Sequence, residues 1–367
     1  VRGSILNTAA SNYSFGAGIY LQCVNGCIVD SNFISETNEN TDAETLAPGG
    51  VGVLNTKECV VTNNVIKNTI WYGIAMFDPS NVGSADKGCV ISGNLISNTK
   101  IQGVKVKDFG NALITGNHVD TTIDAGKQGI FIANSSLRET ITITGNTIKN
   151  VTGNGISAAY CSGLVVSSNS VEGIGATGLE IQSTNSDAVV TGNSITNTAA
   201  QGIDYRATLG SCSSNYIKNA TSRGILFSAD VNGASCQDNV IDNAGIAGIN
   251  SSAVYAKIAN NVIKNTTTLY DGTSAPFSND DALAIPSTLG REDISLVAGS
   301  DITFLSGAVA GDTVTLYATA TRTLVHGVAG DNIILNGGVN FVMSLGSSIM
   351  LKLRTNNRWY EVGRNSQ

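Results

Sequence analysis

Residues 141–157 read Ile-Thr-Ile-Thr-Gly-Asn-Thr-Ile-Lys-Asn-Val-Thr-Gly-Asn-Gly-Ile-Ser. Apolar and polar residues alternate in Ile141-Thr142-Ile143 and again around Ile148, the two-residue period of a strand, and Gly and Asn punctuate the alternation as bend formers do. The stretch therefore predicts short strands separated by tight bends. Its central piece, Asn146-Thr147-Ile148-Lys149-Asn150, returns along the chain. Copies stand at Asn64-Val65-Ile66-Lys67-Asn68, Asn94-Leu95-Ile96-Ser97-Asn98, Asn193-Ser194-Ile195-Thr196-Asn197, Asn215-Tyr216-Ile217-Lys218-Asn219, Asn239-Val240-Ile241-Asp242-Asn243 and Asn261-Val262-Ile263-Lys264-Asn265, with weaker ones from Asn32, Asn117 and Asn169. A self-similar interval of roughly 22 to 32 residues is one solenoid coil, too short for a domain.

Two further marks keep the same period. A Gly followed by an apolar residue opens each copy, at Gly18, Gly50, Gly73, Gly103, Gly129, Gly155, Gly178, Gly202, Gly224 and Gly248. An apolar run precedes each Asn, as in Cys59-Val60-Val61, Cys89-Val90-Ile91 and Leu164-Val165-Val166. Three short strands per coil follow. Stacking coils about 4.8 Å apart would line the inward Ile and Val side chains into columns. The fold class expected is all-β: a right-handed parallel β-helix of about ten coils over residues 1–265. Each signature Asn is expected to satisfy backbone groups at a bend and to bond the amide one coil away in a ladder.

Composition agrees. Charged residues are 13% and aromatics 6%, against 42% hydrophobic, 41 Gly and only 4 Pro. Such a chain can bury enough apolar surface to fold. The net charge of −7 offers no basic surface for nucleic acid or anionic lipid, so neither is expected as a partner. No apolar run approaches the roughly 18 residues of a spanning helix. The chain begins at Val1, without Met and already inside a repeat, and reads as a trimmed piece.

The seven cysteines follow the coil register. Cys27, Cys59 and Cys89 stand five residues before a signature Asn, and Cys212 and Cys236 stand three before, at positions where other coils carry Ile, Val, Leu or Ala. They are expected inside, as small hydrophobes, with Cys23 and Cys161 nearer turns. The only histidines, His118 and His326, fall in different expected domains, so neither a multi-His metal site nor a Ser-His-Asp triad is expected. No metal or cofactor is called for.

Over residues 3 to 265 these coils resemble the pectate-lyase-like β-helix superfamily. In that family the Asn ladder lies between the second and third sheets, so the resemblance makes the Gly-Ile strands the first sheet, along which the family's polysaccharide groove usually runs. The period breaks over residues 266–290, with Pro276, Asp280, Asp281 and Pro286, which are read as a linker or cap. Beyond them, the segments Gly311-Asp312-Thr313-Val314-Thr315-Leu316, Asn332 to Gly338 and Arg358-Trp359-Tyr360-Glu361-Val362-Gly363-Arg364 resemble the carboxy-terminal β domain of phage tailspike depolymerases. That resemblance implies a small β-sandwich-like domain over 291–367 that caps or trimerises. It also implies a homotrimer on a virion tail, outside the cell, acting on a bacterial surface polysaccharide of capsule or O-antigen type.

On the first sheet, alternation assigns the outward positions: the residue after each Gly-apolar pair and the one two further on. Charges appear there at Lys105 and Lys107, at Glu180, and at Asp204 and Arg206, with Gln182 beside them. Glu180 and Asp204 share a column on adjacent coils. Two carboxylates so close compete for charge and can divide into acid and base, the catalytic pair a glycoside hydrolase needs. Their closeness suits a retaining pair, while β-helix glycosidases resemble inverting enzymes with about 6.5–9.5 Å between carboxyls. Arg206, beside Asp204, can orient a carboxylate or bind an acidic sugar bidentately. Phe77 and Phe131, with Tyr20, can stack on sugar rings or pack subunits. A uronate lyase would use Lys105, Lys107 or Arg206 as the cation on the carboxylate, with Asp108 in the following turn. A non-catalytic glycan-binding spike would use the same groove only to grip. The long loops Thr37 to Gly49, with Glu39, Asp42 and Glu44, and Asp78 to Lys87 would wall the groove.

Overall fold

A computed structural model describes residues 5–7, 17–22, 26–37, 49–55, 58–78, 88–228, 231, 234–251, 257–259, 261–266, 268–271, 282–284, 292–296, 304–306, 313–318, 321–327, 333–354 and 358–365. Three parallel sheets of 11, 10 and 11 strands wind around one core, and successive strands of each sheet come from successive coils. The first sheet runs from Ile19–Gln22 to Thr268–Asp271, the second from Ile28–Asp30 to Lys257–Ala259, and the third from Ile5–Asn7 to Val262–Lys264. The last first-sheet strand thus lies just past residue 265.

Each apolar position of the repeat lands in a column. On the first sheet Ile74, Val104, Ile130, Ile156, Leu179, Ile203, Ile225 and Ile249 stack in register and are buried. Ile66, Ile96, Val119 and Ile148 do the same on the third. Because every inward residue meets its equivalent one coil away, the core is one continuous cluster from Ile19 to Ile249. Cys27, Cys59, Cys89, Cys161, Cys212 and Cys236 all lie within it, Cys161 included, and all are reduced; Cys23 falls outside the described residues.

The signature Asn is a ladder rung. Asn146 Nδ2 donates to Asn169 Oδ1 at 3.0 Å and to the Ile114 carbonyl at 2.9 Å, while its Oδ1 accepts from both the backbone N and Nδ2 of Asn117. The same pattern links Asn32 through Asn261. The bends themselves are made by other residues. The one before each rung has positive φ, as at Asn63 (55°), Gly116 (63°) and Ser168 (54°), and so does the last Asn of the signature, as at Asn68 (53°) and Asn150 (53°). Asn and Gly tolerate that conformation, which explains why the signature ends in Asn.

The Gly that opens each first-sheet strand is needed for space. A β-carbon on Gly103 would stand 2.3 Å from Val119 Cγ1 and 2.9 Å from the Gly129 carbonyl oxygen.

The carboxy-terminal region is built on a five-stranded mixed sheet ordered Glu292–Leu296, Thr313–Ala318, Ser348–Leu353, Trp359–Asn365 and Ile333–Ile334. Two two-stranded pairs accompany it. Val314, Leu316, Leu324, Met343, Leu351 and Trp359 form its own core. Pro276, Asp280, Asp281 and Pro286 fall outside the described residues.

Candidate functional site

The outer face of the first sheet carries three columns. The middle one, in register from coil to coil, runs Ala75, Lys105, Phe131, Ser157, Glu180, Asp204, Leu226, Asn250. Lys107 pairs with Phe77 in the next column, where Gln182 and Arg206 also lie, their backbone N donating to the Ala158 and Ile181 carbonyls. The third column, formed by the residue preceding each Gly, was not read from the sequence. It holds Tyr72, Gln102, Gln128, Asn154, Thr177, Gln201 and Arg223, and is rich in amides that reach across coils: Gln102 Nε2 donates to Gln128 Oε1 at 2.9 Å, and Thr177 Oγ1 to Gln201 Oε1 at 3.0 Å. The signal was available, because a polar residue precedes Gly in most copies.

Outward does not mean exposed. Phe77 is only 2% accessible, in a satellite apolar cluster with Leu54, Tyr72, Ala75 and Ile101, flanked by Tyr20 and Trp71. Lys105, at 7%, is enclosed by the same group: its Nζ donates to Tyr72 Oη at 3.0 Å and lies 4.9, 5.2 and 5.9 Å from the ring centroids of Tyr72, Phe77 and Phe131. The alternation rule was right about direction but blind to this second apolar layer, which Trp71, Tyr72 and Ile101 close over the strands. Phe77 and Lys105 are therefore corrected from open groove residues to parts of a cation–aromatic cluster. Phe131 and Lys107 remain half-exposed. Asp108 is also reassigned. It is buried, at φ 61°, and its carboxylate holds the Ser135 backbone N and Oγ, so it staples a turn.

Glu180 and Asp204 are brought together as expected, directly opposite on adjacent strands. Glu180 Oε2 accepts from Asn154 Nδ2 at 2.8 Å and from Ser157 Oγ at 2.7 Å, both on the preceding coil. Its Oε1 has no hydrogen-bond partner among the described residues, and the side chain is half-buried. Gln182 Nε2 lies 3.4 Å from Ser157 Oγ and completes the group. Asp204 is 3% accessible, and both its oxygens are taken by Arg206, through Nε at 3.0 Å and through the terminal Nη2. Arg206 keeps 40% of its side chain exposed. A bidentate carboxylate fixes the guanidinium plane. The arrangement offers one carboxylate with an open oxygen beside one oriented cation.

Glu39, Asp42 and Glu44, and the loop after Asp78, lie outside the described residues. Among the described residues no group of three or more His, Cys, Asp or Glu side chains is placed to share a metal ion.

Two family models match the chain. Residues 128–282 match the right-handed β-helix region, and residues 2–157 match the periplasmic copper-binding protein NosD. Among the described residues the donors are not gathered for copper: the stacked thiols lie within the apolar core, and no three His, Cys, Asp or Glu side chains are placed to share an ion. No curated protein matches the chain in sequence. Among solved structures it is similar to a double mutant of the periplasmic alginate epimerase AlgG, at 15% identity and TM-score 0.43 over 73% of this chain and 70% of that one. It is also similar to PfbA, a surface adhesin of Streptococcus pneumoniae, at 10% identity and TM-score 0.40 over 94% of this chain and 78% of that one. The β-helix match and the three parallel sheets agree, and the chain is a right-handed parallel β-helix followed by a small carboxy-terminal sheet region.

Proposed function

We propose that the chain modifies an acidic polysaccharide outside the cytoplasm, along the outer face of the first sheet, with Glu180 moving a proton and Arg206 holding a sugar carboxylate. The observation that carries this is the unequal commitment of the two acids. Asp204 has both oxygens engaged by Arg206, whereas Glu180 has both donors on Oε2.

A uronate carboxylate paired with Arg206 has its charge offset, which makes the proton on the neighbouring ring carbon easier to remove. Glu180 Oε1 takes that proton. The electron pair forms the ring double bond as the glycosidic C–O bond breaks, and the proton returns from Glu180 to the leaving oxygen when both lie on one face of the sugar. Ser157 and Asn154 hold Oε2 and so aim Oε1. Half-exposed Phe131 supplies an apolar surface for a neighbouring ring.

Hydrolysis by Glu180 and Asp204 as an acid–base pair is the second reading, favoured by their in-register placement. It requires Arg206 to release Asp204. The phage-tailspike setting, with a homotrimer on a virion tail cutting capsule or O-antigen, rests on the carboxy-terminal resemblance, and sedimentation of the full chain tests its trimer.

The experiment is incubation of the full chain with a panel of uronate-bearing and neutral bacterial polysaccharides, followed for ultraviolet-absorbing unsaturated ends and for reducing ends. Unsaturated ends that vanish in Glu180→Gln support elimination. Reducing ends without unsaturation support hydrolysis. Retention of glycan with no product supports a non-catalytic binding spike, and neither product nor retention across the panel would overturn the glycan reading.

A further inference from the structure

Among the described residues, the strand Ile28–Asp30 lies at one edge of the second sheet, paired only to Cys59–Thr62. An edge strand with one neighbour frays more readily than the strands behind it. Cys27, immediately before this strand, is in register with Cys59: Ile28 pairs with Val60, and Val60 N donates to the Cys27 carbonyl at 2.8 Å. Cys59 pairs in turn with Cys89. Adjacent parallel strands hold α-carbons about 4.8 Å apart, inside the roughly 4.4–6.8 Å that a disulfide spans.

We propose that Cys27 and Cys59 are a redox-responsive pair whose disulfide staples the first coil to the second. The two thiols differ in a way that assigns their roles. Cys27, at 9%, is the more accessible; Cys59 is at 1%. The contact between the two side chains holds the Cys27 thiol below its ordinary value and pushes Cys59 up. Cys27 is the attacking sulfur and Cys59 the resolving one.

With a low-molecular-weight disulfide such as oxidised glutathione as the oxidant, the step balances. The Cys27 thiolate attacks one glutathione sulfur, the glutathione S–S bond breaks, and one glutathione thiolate leaves. The Cys59 sulfur then attacks Cys27, releasing the second. Two protein S–H bonds become one S–S bond, and the two protons go to the two glutathiones.

The molecule contains its own control. Cys212 and Cys236 are also in register, but both are fully buried mid-helix, with each sulfur accepting from a ladder amide, Asn215 or Asn239, at 3.5 Å. They have the geometry without the access.

The test is to incubate the folded full chain with oxidised glutathione, block remaining thiols, digest and map by mass. The expected product is one intramolecular Cys27–Cys59 link with two thiols lost, a raised melting temperature, and no link between Cys212 and Cys236. Cys27→Ala and Cys59→Ala are benign core changes, since Ala112 and Ala188 occupy this column in later coils. Each should abolish both the link and the melting shift. An unchanged thiol count in the folded chain, a glutathione adduct that stays on Cys27, or a link mapped to Cys23 or Cys89 would overturn the proposal.

Discussion

Glu180 and Asp204 stand opposite each other on adjacent coils, yet Glu180 is held from the preceding coil by Asn154 and Ser157 while Asp204 is held from its own strand by Arg206. The two acids are thus separated in role by their partners, although their backbones are equivalent. Removing each one should have a different kinetic signature. Glu180→Gln removes the open oxygen and should lower kcat by about 10²–10⁴-fold, the usual size of a lost general base, with KM little changed. Asp204→Asn leaves the fold's hydrogen bond but frees the guanidinium to rotate, and should raise KM for an acidic glycan more than it lowers kcat. Steady-state kinetics on the substrate found in the polysaccharide panel distinguish the two. Equal loss of kcat in both variants would return Asp204 to an acid–base role.

The β-helix was legible because one physical rule, alternation at a fixed coil period, is repeated in every coil. Ile66, Ile96 and Val119 need no long-range information to be placed; each is inward in its own coil, and stacking does the rest. The register of Glu180 with Asp204 was legible for the same reason. What the pattern could not supply was the environment beyond the coil. Phe77 and Lys105 point outward, but Trp71, Tyr72 and Ile101 bury them, and no periodicity encodes that cover. The pairing of Asp204 with Arg206 was legible only as one of two options, since two outward residues on one strand can splay apart or join.

The ladder should be costly to break at mid-helix. Asn146→Ala deletes the acceptor of both the backbone N and Nδ2 of Asn117, and the donor to the Ile114 carbonyl and Asn169 Oδ1, all in buried surroundings. Each buried polar group left unpaired costs about 1–3 kcal/mol, so the loss should exceed about 3 kcal/mol. Denaturant unfolding monitored by circular dichroism measures it. The exposed Asn98, the last residue of its signature, which donates to Asn68 Oδ1 at 3.1 Å, is the comparison. Asn98→Gly keeps the positive φ accessible and should cost well under half as much.

Two glycines should respond unequally to added side chains. Gly103→Ala drives a β-carbon to 2.3 Å from Val119 Cγ1 and 2.9 Å from backbone oxygen, and overpacking of this kind costs about 1–3 kcal/mol or more. Gly116, at φ 63°, has only the Gly93 backbone N nearby, at 3.9 Å, and other coils place Asn63 or Ser168 at its position. Gly116→Asn should therefore be close to neutral. Melting temperatures of the two variants, measured side by side, check the claim that space constrains the first column and backbone angle the second.

In the carboxy-terminal region, partial burial pushes the Glu361 carboxyl up, but bonds from Arg364 and the Asn336 backbone N outweigh it and hold the group below its ordinary value. A carboxylate with a folded pKa below its unfolded one contributes stability that is present above the unfolded value and is lost as the pH falls through the folded one. Arg364 also lies 4.4 Å from the Phe341 ring centroid and donates to the Asn336 carbonyl, so the pair ties the last strand to the turn at Asn336. Unfolding of this region, followed by fluorescence of buried Trp359, should therefore become easier as the pH drops below the ordinary carboxylate range. Glu361→Gln should weaken it at neutral pH and flatten that acid-side decline. A variant whose acid profile matches the wild type would show that other carboxylates control the transition.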